Sequence, residues 1–355
     1  MVGILISSRH LDVQEVESAV YNLDTSVIDL ETLQKIFELR ATEDELATMR
    51  ITLEQQPDAI MDKPENFLLE LANIPSFSER VACFMFQNSF FEILTAISNP
   101  LNNLKLICDK LMTSVEVSRV LGIILALGNY MNGGNRQRGQ ADGFAIDILP
   151  KIKDVKSKDN TLTLIFYVVK VYIQKFDEKA GTNDARMPLP EPTDLDKAGH
   201  LKFEELEASL RQLNKEIEGI EQKANQVIAA SEEIHLEPFK EKMESFFVQA
   251  KKSLSEEEEN LTECKQRFEA VLKYFKFTPK KNSELDPKDF FGLWSAFASD
   301  FKDIWNREQQ RIFKENMDKA KQVVKQKKLQ SSSSYAKSKT DEGTLKARLL
   351  SRKKK

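Results

Sequence analysis

The stretch FEELEASLRQLNKEIEGIEQKANQV, residues 203–227, decides the fold class. Its apolar residues Phe203, Leu206, Leu210, Leu213, Ile217, Ile220, Ala224 and Val227 recur at alternating spacings of 3 and 4. Such a seam, held for about three and a half heptads, makes the segment a long helix with one apolar stripe. After an interruption at His235 to Pro238 the seam restarts with Met243, Phe247, Ala250 and Leu254. It continues with Leu261, Cys264, Phe268, Val271 and Phe275. Glu257 takes the seam position between Leu254 and Leu261, where a carboxylate should weaken packing. Two long helices with so short a break fold back as an antiparallel hairpin, each helix roughly 45–55 Å long. A third long helix begins at Pro287 and carries Phe290, Phe291, Trp294, Phe297, Phe301 and Trp305. Core packing against the hairpin is the preferred reading of that aromatic stripe, ahead of a binding face.

Upstream, the first 200 residues read as a bundle of shorter helices. Asp12 caps a helix bearing Val13, Val16, Ala19 and Val20, and Leu30, Leu33, Ile36 and Phe37 stripe the next. Thr42 with Glu45, and Ser76 with Glu79, have capping-box spacing. Pro64 suits a first helical turn ahead of Phe67, Leu68 and Leu71. The run from Phe77 to Ile97 is apolar on more than one face and reads as a central helix, and Leu121 to Leu127 reads as buried too. Pro188 to Pro192, the PLPEP segment, is a stiff connector.

Composition narrows the function classes. Of 355 residues, 41% are hydrophobic and 30% charged, with only 12 Gly and 11 Pro, which suits a mostly helical protein with a real core. No uninterrupted apolar run approaches the ~18 residues of a membrane span, and no transmembrane segment is expected. Cys83, Cys108 and Cys264 are far apart and read as reduced, packed thiols rather than a disulfide frame or metal site. Three scattered histidines offer no zinc or catalytic constellation, and neither metal nor cofactor is expected. The net charge of −4 hides an asymmetry. From Lys319 to Lys355 there are 13 Lys+Arg against Asp341 and Glu342, so the rest of the chain carries about fifteen negative charges. SSSSYAKSK in that tail is low-complexity, and ARLLSRKKK is a short basic amphipathic element.

One segment breaks the helical pattern. GNYMNGGNRQRGQADGF, Gly128 to Phe144, ends the amphipathic run Val115–Asn132 and gathers Gly128, Gly133, Gly134 and Gly139 within twelve residues. It lacks GxxxxGK[ST], no strand precedes it, and no GxGxxG opens a helix, so nucleotide binding is not supported. No GxSxG elbow or Cys/His pairing argues for an enzyme. The glycines allow a tight path, and Asn129 and Asn132 offer hydrogen bonds, so the segment reads as a protein docking surface, with a plain surface loop as the alternative.

GNYMNGGNRQRGQADGF, followed by LPKIKDVKSKDN and TLTLI, resembles the signature of the formin homology 2 domain. The opening VGILISSRHL, the PLPEP connector, the heptad hairpin and the Phe290–Trp305 helix fall in that family's order. The loop wording most resembles the Cappuccino-like subclass. The resemblance covers about residues 1–330 and implies an all-α, elongated helical bundle with knob and post regions and a long antiparallel coiled-coil hairpin. It divides as 1–110 (knob side), 111–200 (post) and 201–330 (hairpin and last long helix), ahead of a disordered basic tail, 331–355.

The resemblance also implies a function. Formins of this kind nucleate actin filaments and ride the growing barbed end as a head-to-tail ring dimer, in the cytoplasm and on the cytoskeleton. Ile4 would be the knob's apolar anchor in an actin cleft, and Lys156 would pair with acidic actin surface. Gly128, Asn129, Tyr130, Met131, Asn132 and Gly134 would form the post that receives the second formin subunit's N-terminal lasso. Lys346, Arg348, Arg352, Lys353, Lys354 and Lys355 resemble a basic element that binds the acidic kinase-like domain of Spire nucleators, with actin's acidic surface, anionic lipid and nucleic acid as alternatives. The sequence as given opens at the knob, so this chain is expected to be a monomer or weak dimer, impaired in nucleation. Two other classes compete. A scaffold or membrane-surface protein would need a basic hairpin face, yet Glu256 to Glu259 are acidic. A nucleic-acid binder would need basic and aromatic residues interleaved on a body that is instead acidic.

Overall fold

The computed structural model describes residues 2–9, 11–55, 61–135, 140–279 and 286–352, of which 328–352 by backbone alone. Among the described residues the regular structure is helical, with one isolated antiparallel bridge between Lys156 and Thr163. The helices run α1 Val2–Arg9, α2 Val13–Asn22, α3 Leu30–Glu38, α4 Glu43–Gln55, α5 Lys63–Ala72, α6 Phe77–Thr113 and α7 Val115–Met131. A 3-10 helix follows at Ile146–Asp154, then α8 Leu164–Phe176, α9 Pro192–Gly199, α10 Phe203–Ala230, α11 Glu237–Tyr274 and α12 Pro287–Arg352. The chain divides into two compact units, each assembled from two pieces. Residues 1–105 fold with 202–268, and 106–201 fold with 269–355, so the stretch 201–330 is shared between the units.

Local signals built most helix starts. Asp12 accepts from Gln14 N–H at 3.1 Å, and Thr42 and Glu45 cap reciprocally, the Thr42 N–H donating to Glu45 Oε2 at 2.8 Å. Asp62 and Glu65 form a second capping box beside Pro64. Ser76 departs from expectation. It lies at φ 55°, in the left-handed region, whereas an N-cap residue is extended. The turn before it, closed by Phe77 N–H on Ile74 O at 3.2 Å, feeds α6 directly.

In the first unit the two seams pair as an antiparallel hairpin. Glu207 pairs with Lys265, Glu221 with Lys251 at 2.8 Å, and the Phe203 and Phe268 rings lie 6.3 Å apart. In each pair the two residue numbers add to the same value within one, which is an antiparallel register. A third helix completes the seam. Residues of α6 approach α11 in parallel: Phe90 against Phe246 (5.6 Å), Ser98 against Glu257 (2.9 Å) and Lys105 against Glu263 (2.6 Å). Cys83 Sγ approaches Ile220 O of α10 at 3.8 Å. Val81, Phe84, Phe90, Leu101 and Leu104 are fully buried, which explains a helix apolar on more than one face. By length and composition α6 is apolar enough to cross a membrane, and Ser and Asn interrupt it too often for a search on uninterrupted runs to find it. Its buried side chains are core.

Glu257, expected to weaken the seam, is 8% exposed and satisfied. Ser98 Oγ donates to its Oε2 at 2.9 Å and Asn260 Nδ2 to its Oε1 at 2.8 Å. Near the hairpin tip, the buried Arg80 guanidinium lies over the rings of Tyr21 (4.7 Å) and Phe239 (4.9 Å), and Tyr21 stacks on His235 at 4.0 Å.

The second unit is organised around α12. Phe290, Phe291, Trp294, Phe297 and Phe301 are fully buried and Trp305 nearly so, so the aromatic stripe is core. Phe275 packs on Trp294 at 5.4 Å and Tyr172 of α8 on Phe301 at 6.5 Å. Buried Leu189 and Pro190 of the connector lie under polar clasps: Lys110 Nζ donates to Leu189 O (3.1 Å) and Lys302 pairs with Glu191 (2.5 Å). Past its aromatic part α12 stays helical to Arg352, through the serine-rich stretch read above as unstructured. That stretch holds no proline, and its serines cost only tenths of a kcal/mol each in a helix, about 0.5 on common scales.

Candidate functional site

Four of the six residues assigned to a partner-receiving surface lie in helix, at the end of the amphipathic run rather than in the loop that follows it. Gly128, Asn129, Tyr130 and Met131 form the last turn of α7, and Asn132 is its C-cap, its N–H donating to Gly128 O at 3.0 Å. A Cβ on Gly128 would meet nothing within 4 Å, so the tight path is needed only beyond it. At Gly133 a Cβ would lie 3.0 Å from Tyr130 O, and Gly134 sits at φ 91°. Gly139 lies outside the described residues.

Asn129 turns inward along the chain. Its Nδ2 donates to Ala141 O at 2.9 Å and its Oδ1 accepts from Ala141 N–H at 2.8 Å, so one amide closes the base of the segment 130–140. Tyr130 and Met131, by contrast, are 85% and 53% exposed. An aromatic and a thioether thus stand side by side in solvent on a helix end held from behind. Asn129→Ala removes both clasp bonds, and amide exchange at 132–135 and 140–141 is expected to speed up about tenfold. Unchanged exchange there would contradict the clasp.

Tyr130 and Met131 form one wall of a groove of about 510 Å³. Leu127, Val155, Leu162, Leu164 and Tyr167 supply its apolar lining, and Lys156, Ser157 and Thr163 its polar rim. The far wall is a short hairpin-like turn. Leu164 N–H donates to Val155 O and Ser157 N–H to Leu162 O, both at 2.8 Å. Asp159 pins the tip, accepting from Ser157 Oγ (2.5 Å) and Thr161 Oγ1 (2.8 Å), and these bonds hold its carboxyl down at about 2. The helix that follows starts at Leu164, with Thr163 as its N-cap. The lining residues Val155, Leu162, Leu164 and Tyr167 were missed above. Their signal was present as alternation in VKSKDNTLTLI, but too short to distinguish from an irregular turn.

Lys156 therefore lines the same groove as Tyr130 and Met131, although the two sets were assigned to different partners. Ile4 belongs to the first unit. Gly3 of α1 lies against α5, where a Cβ would sit 3.1 Å from Pro64 Cγ. With Gly3 facing its neighbour, Ile4 is left 74% exposed. It is not a core residue. Lys346, Arg348 and Arg352 belong to the helical backbone of α12, with side chains outside the description, and Lys353, Lys354 and Lys355 lie outside the described residues altogether. The three cysteines are buried, and burial pushes the Cys83 and Cys264 thiols up to about 12, which leaves them poor nucleophiles.

The family profile of the Formin Homology 2 Domain matches residues 1–302 of this chain. The chain belongs to the formin homology 2 family. It is 47% identical over 332 residues to Formin-2 of Homo sapiens, covering 92% of this chain and 19% of that protein. Against Formin of Gallus gallus it is 45% identical over 327 residues, covering 91% of the chain and 27% of that protein. Protein cappuccino of Drosophila melanogaster is 42% identical over 327 residues, with 91% and 31% covered. The chain thus spans about a fifth to a third of the length of these relatives.

Proposed function

We propose that the chain is a non-enzymatic actin-assembly module that associates with filament barbed ends and supports nucleation and elongation of unbranched filaments. Family membership carries the proposal, together with one observation: an aliphatic side chain, Ile4, held 74% exposed by the packing of Gly3 on Pro64. An exposed apolar side chain is free to enter a partner's pocket, and such anchors are where binding energy concentrates. Ile4 is the residue we place in an actin cleft, and Lys156 the one we place on acidic actin surface. The groove walled by Tyr130, Met131 and Tyr167 is then the receptacle for the N-terminal segment of a second formin subunit, with Asn129, Gly133 and Gly134 shaping it from behind. The basic residues from Lys346 onward are proposed to reach an acidic partner such as Spire. Work in the cytoplasm, on the cytoskeleton, follows from the same reading.

Seeded actin elongation, followed at barbed ends, tests this. The wild-type chain is expected to change the elongation rate at micromolar concentration. Ile4→Ala and Lys156→Ala are each expected to raise the concentration required about tenfold or more. Equal potency of all three, or no effect of any, would contradict the site assignment.

A further inference from the structure

Beyond its core stretch, α12 changes surroundings. Glu308 and Gln309 are still buried, and Gln309 Oε1 accepts from Gly181 N–H at 2.6 Å. From Phe313 to Lys327 every side chain is exposed. That stretch nonetheless holds Phe313 (49% exposed), Met317 (45%), Val323 (50%) and Val324 (53%). At 3.6 residues per turn, Phe313, Met317, Ala320 and Val324 share one face, and Val323 widens it to an arc of roughly 120°.

Charge frames this arc. Lys319, Lys321, Lys325 and Lys327 lie in the same stretch, and no Asp or Glu occurs between Asp318 and Asp341. Lys321 reaches Asp318 only at 3.8 Å, with both side chains mostly exposed. Lys319, Lys325 and Lys327 have no carboxylate partner among the described residues. Lys321 and Lys319 project on opposite sides of the apolar arc, by the same helical geometry, and Lys327 lies at its C-terminal end.

We propose that residues 313–327 of α12 form an interfacial segment that lies on an anionic lipid surface, with the apolar arc in the headgroup boundary and the lysines reaching phosphate on either side. Three occupants compete for such a face. A second copy of the chain would set lysines against lysines along the seam, which like-charge repulsion opposes. A single acidic helix would cover a narrow two-position seam and leave Val323 in water. A planar anionic surface accommodates the whole arc and both lysine flanks. The rest of the chain is acidic, so attraction to such a surface is confined to this end of α12 and the residues after it.

The buried native cysteines allow single surface labels on the full chain. Val324→Cys and Gln322→Cys, on opposite sides of the helix, each receive the same environment-sensitive fluorophore. With vesicles of phosphatidylserine in phosphatidylcholine, the label at 324 is expected to shift to the blue and brighten several-fold, and the label at 322 to stay as in water. Phosphatidylcholine alone should leave both unchanged. Adding Phe313→Ser to the 324-labelled chain should cut the response at least threefold, whereas adsorption by the basic tail alone would be indifferent to it. The proposal is overturned if both labels respond alike, or if neither responds. It is also overturned if the 324 label responds to a soluble acidic amphipathic peptide and not to vesicles, which would move the face to a protein partner.

Discussion

Replacing Trp294 by alanine is expected to destabilise the second unit by about 3–5 kcal/mol, the range for emptying an aromatic core site. Trp294 is fully buried, with Phe275 packed on it at 5.4 Å and Phe297 next along the helix at 6.5 Å. Its indole Nε1 is buried without a hydrogen-bond acceptor among the described residues. That orphaned donor makes the prediction more specific. An unsatisfied buried N–H costs about 1–3 kcal/mol, and phenylalanine at this position removes it while keeping most of the packed ring. Trp294→Phe is therefore expected to fall within about 1 kcal/mol of wild type, the lost packing offset by the lost donor. Denaturant midpoints at unchanged slope report both. A phenylalanine variant as unstable as the alanine variant would show that the indole nitrogen is satisfied in solution.

Gly181→Ala should cost nearly as much, for a different reason. Gly181 sits at φ 72°, and a Cβ there would lie 2.6 Å from Ile312 Cγ2 and 3.0 Å from the Phe313 backbone nitrogen. The left-handed conformation alone costs a non-glycine residue about 1–2 kcal/mol. Overpacking against a helix backbone adds about 1–3 more. The Gly181 N–H is also the donor to Gln309, whose Nε2 in turn donates to Asp177 Oδ2 at 2.6 Å, so a displaced loop loses both bonds. Gly134 separates the two contributions, because it lies at φ 91° with open space around it. Gly134→Ala is expected to lose the conformational part only, about 1–2 kcal/mol. Equal losses at the two positions would mean that the loop moves off α12 without penalty.

What could be read from the sequence was local. The seam residues of α10 and α11, the Thr42–Glu45 pair and the Asp12 cap depend on neighbours two to four positions away, and they formed as expected. The aromatic stripe of α12 is core, as expected, but it packs chiefly on α8, α9 and the 3-10 helix and not along the hairpin. Distant partners were not legible. Nothing near Glu257 announces that Ser98, 159 positions earlier, supplies its hydrogen bond, and so the seam looked weaker than it is. The completion of the hairpin by α6 was hidden too, since a helix apolar on several faces does not say which neighbours it meets. At the site, the segment as a whole stood out by its glycines, but the exposure of Tyr130 and Met131 did not. Asn129 could be read as bonding locally or across an interface, and only the return of the chain at Ala141 decides for the local clasp. The left-handed Ser76 shows the same limit at a helix start.

The α1 face around Ile4 meeting actin is the central claim. It is tested most directly by proximity. Ser8, exposed and one turn beyond Ile4 on α1, tolerates substitution without loss of packing, and the native thiols are buried. A Ser8→Cys chain carrying a benzophenone maleimide should, on irradiation with actin filaments, give a covalent chain–actin adduct. Introducing Ile4→Ala in the same chain should reduce its yield about tenfold. An adduct formed equally well without Ile4, or no actin adduct at all, would contradict the account.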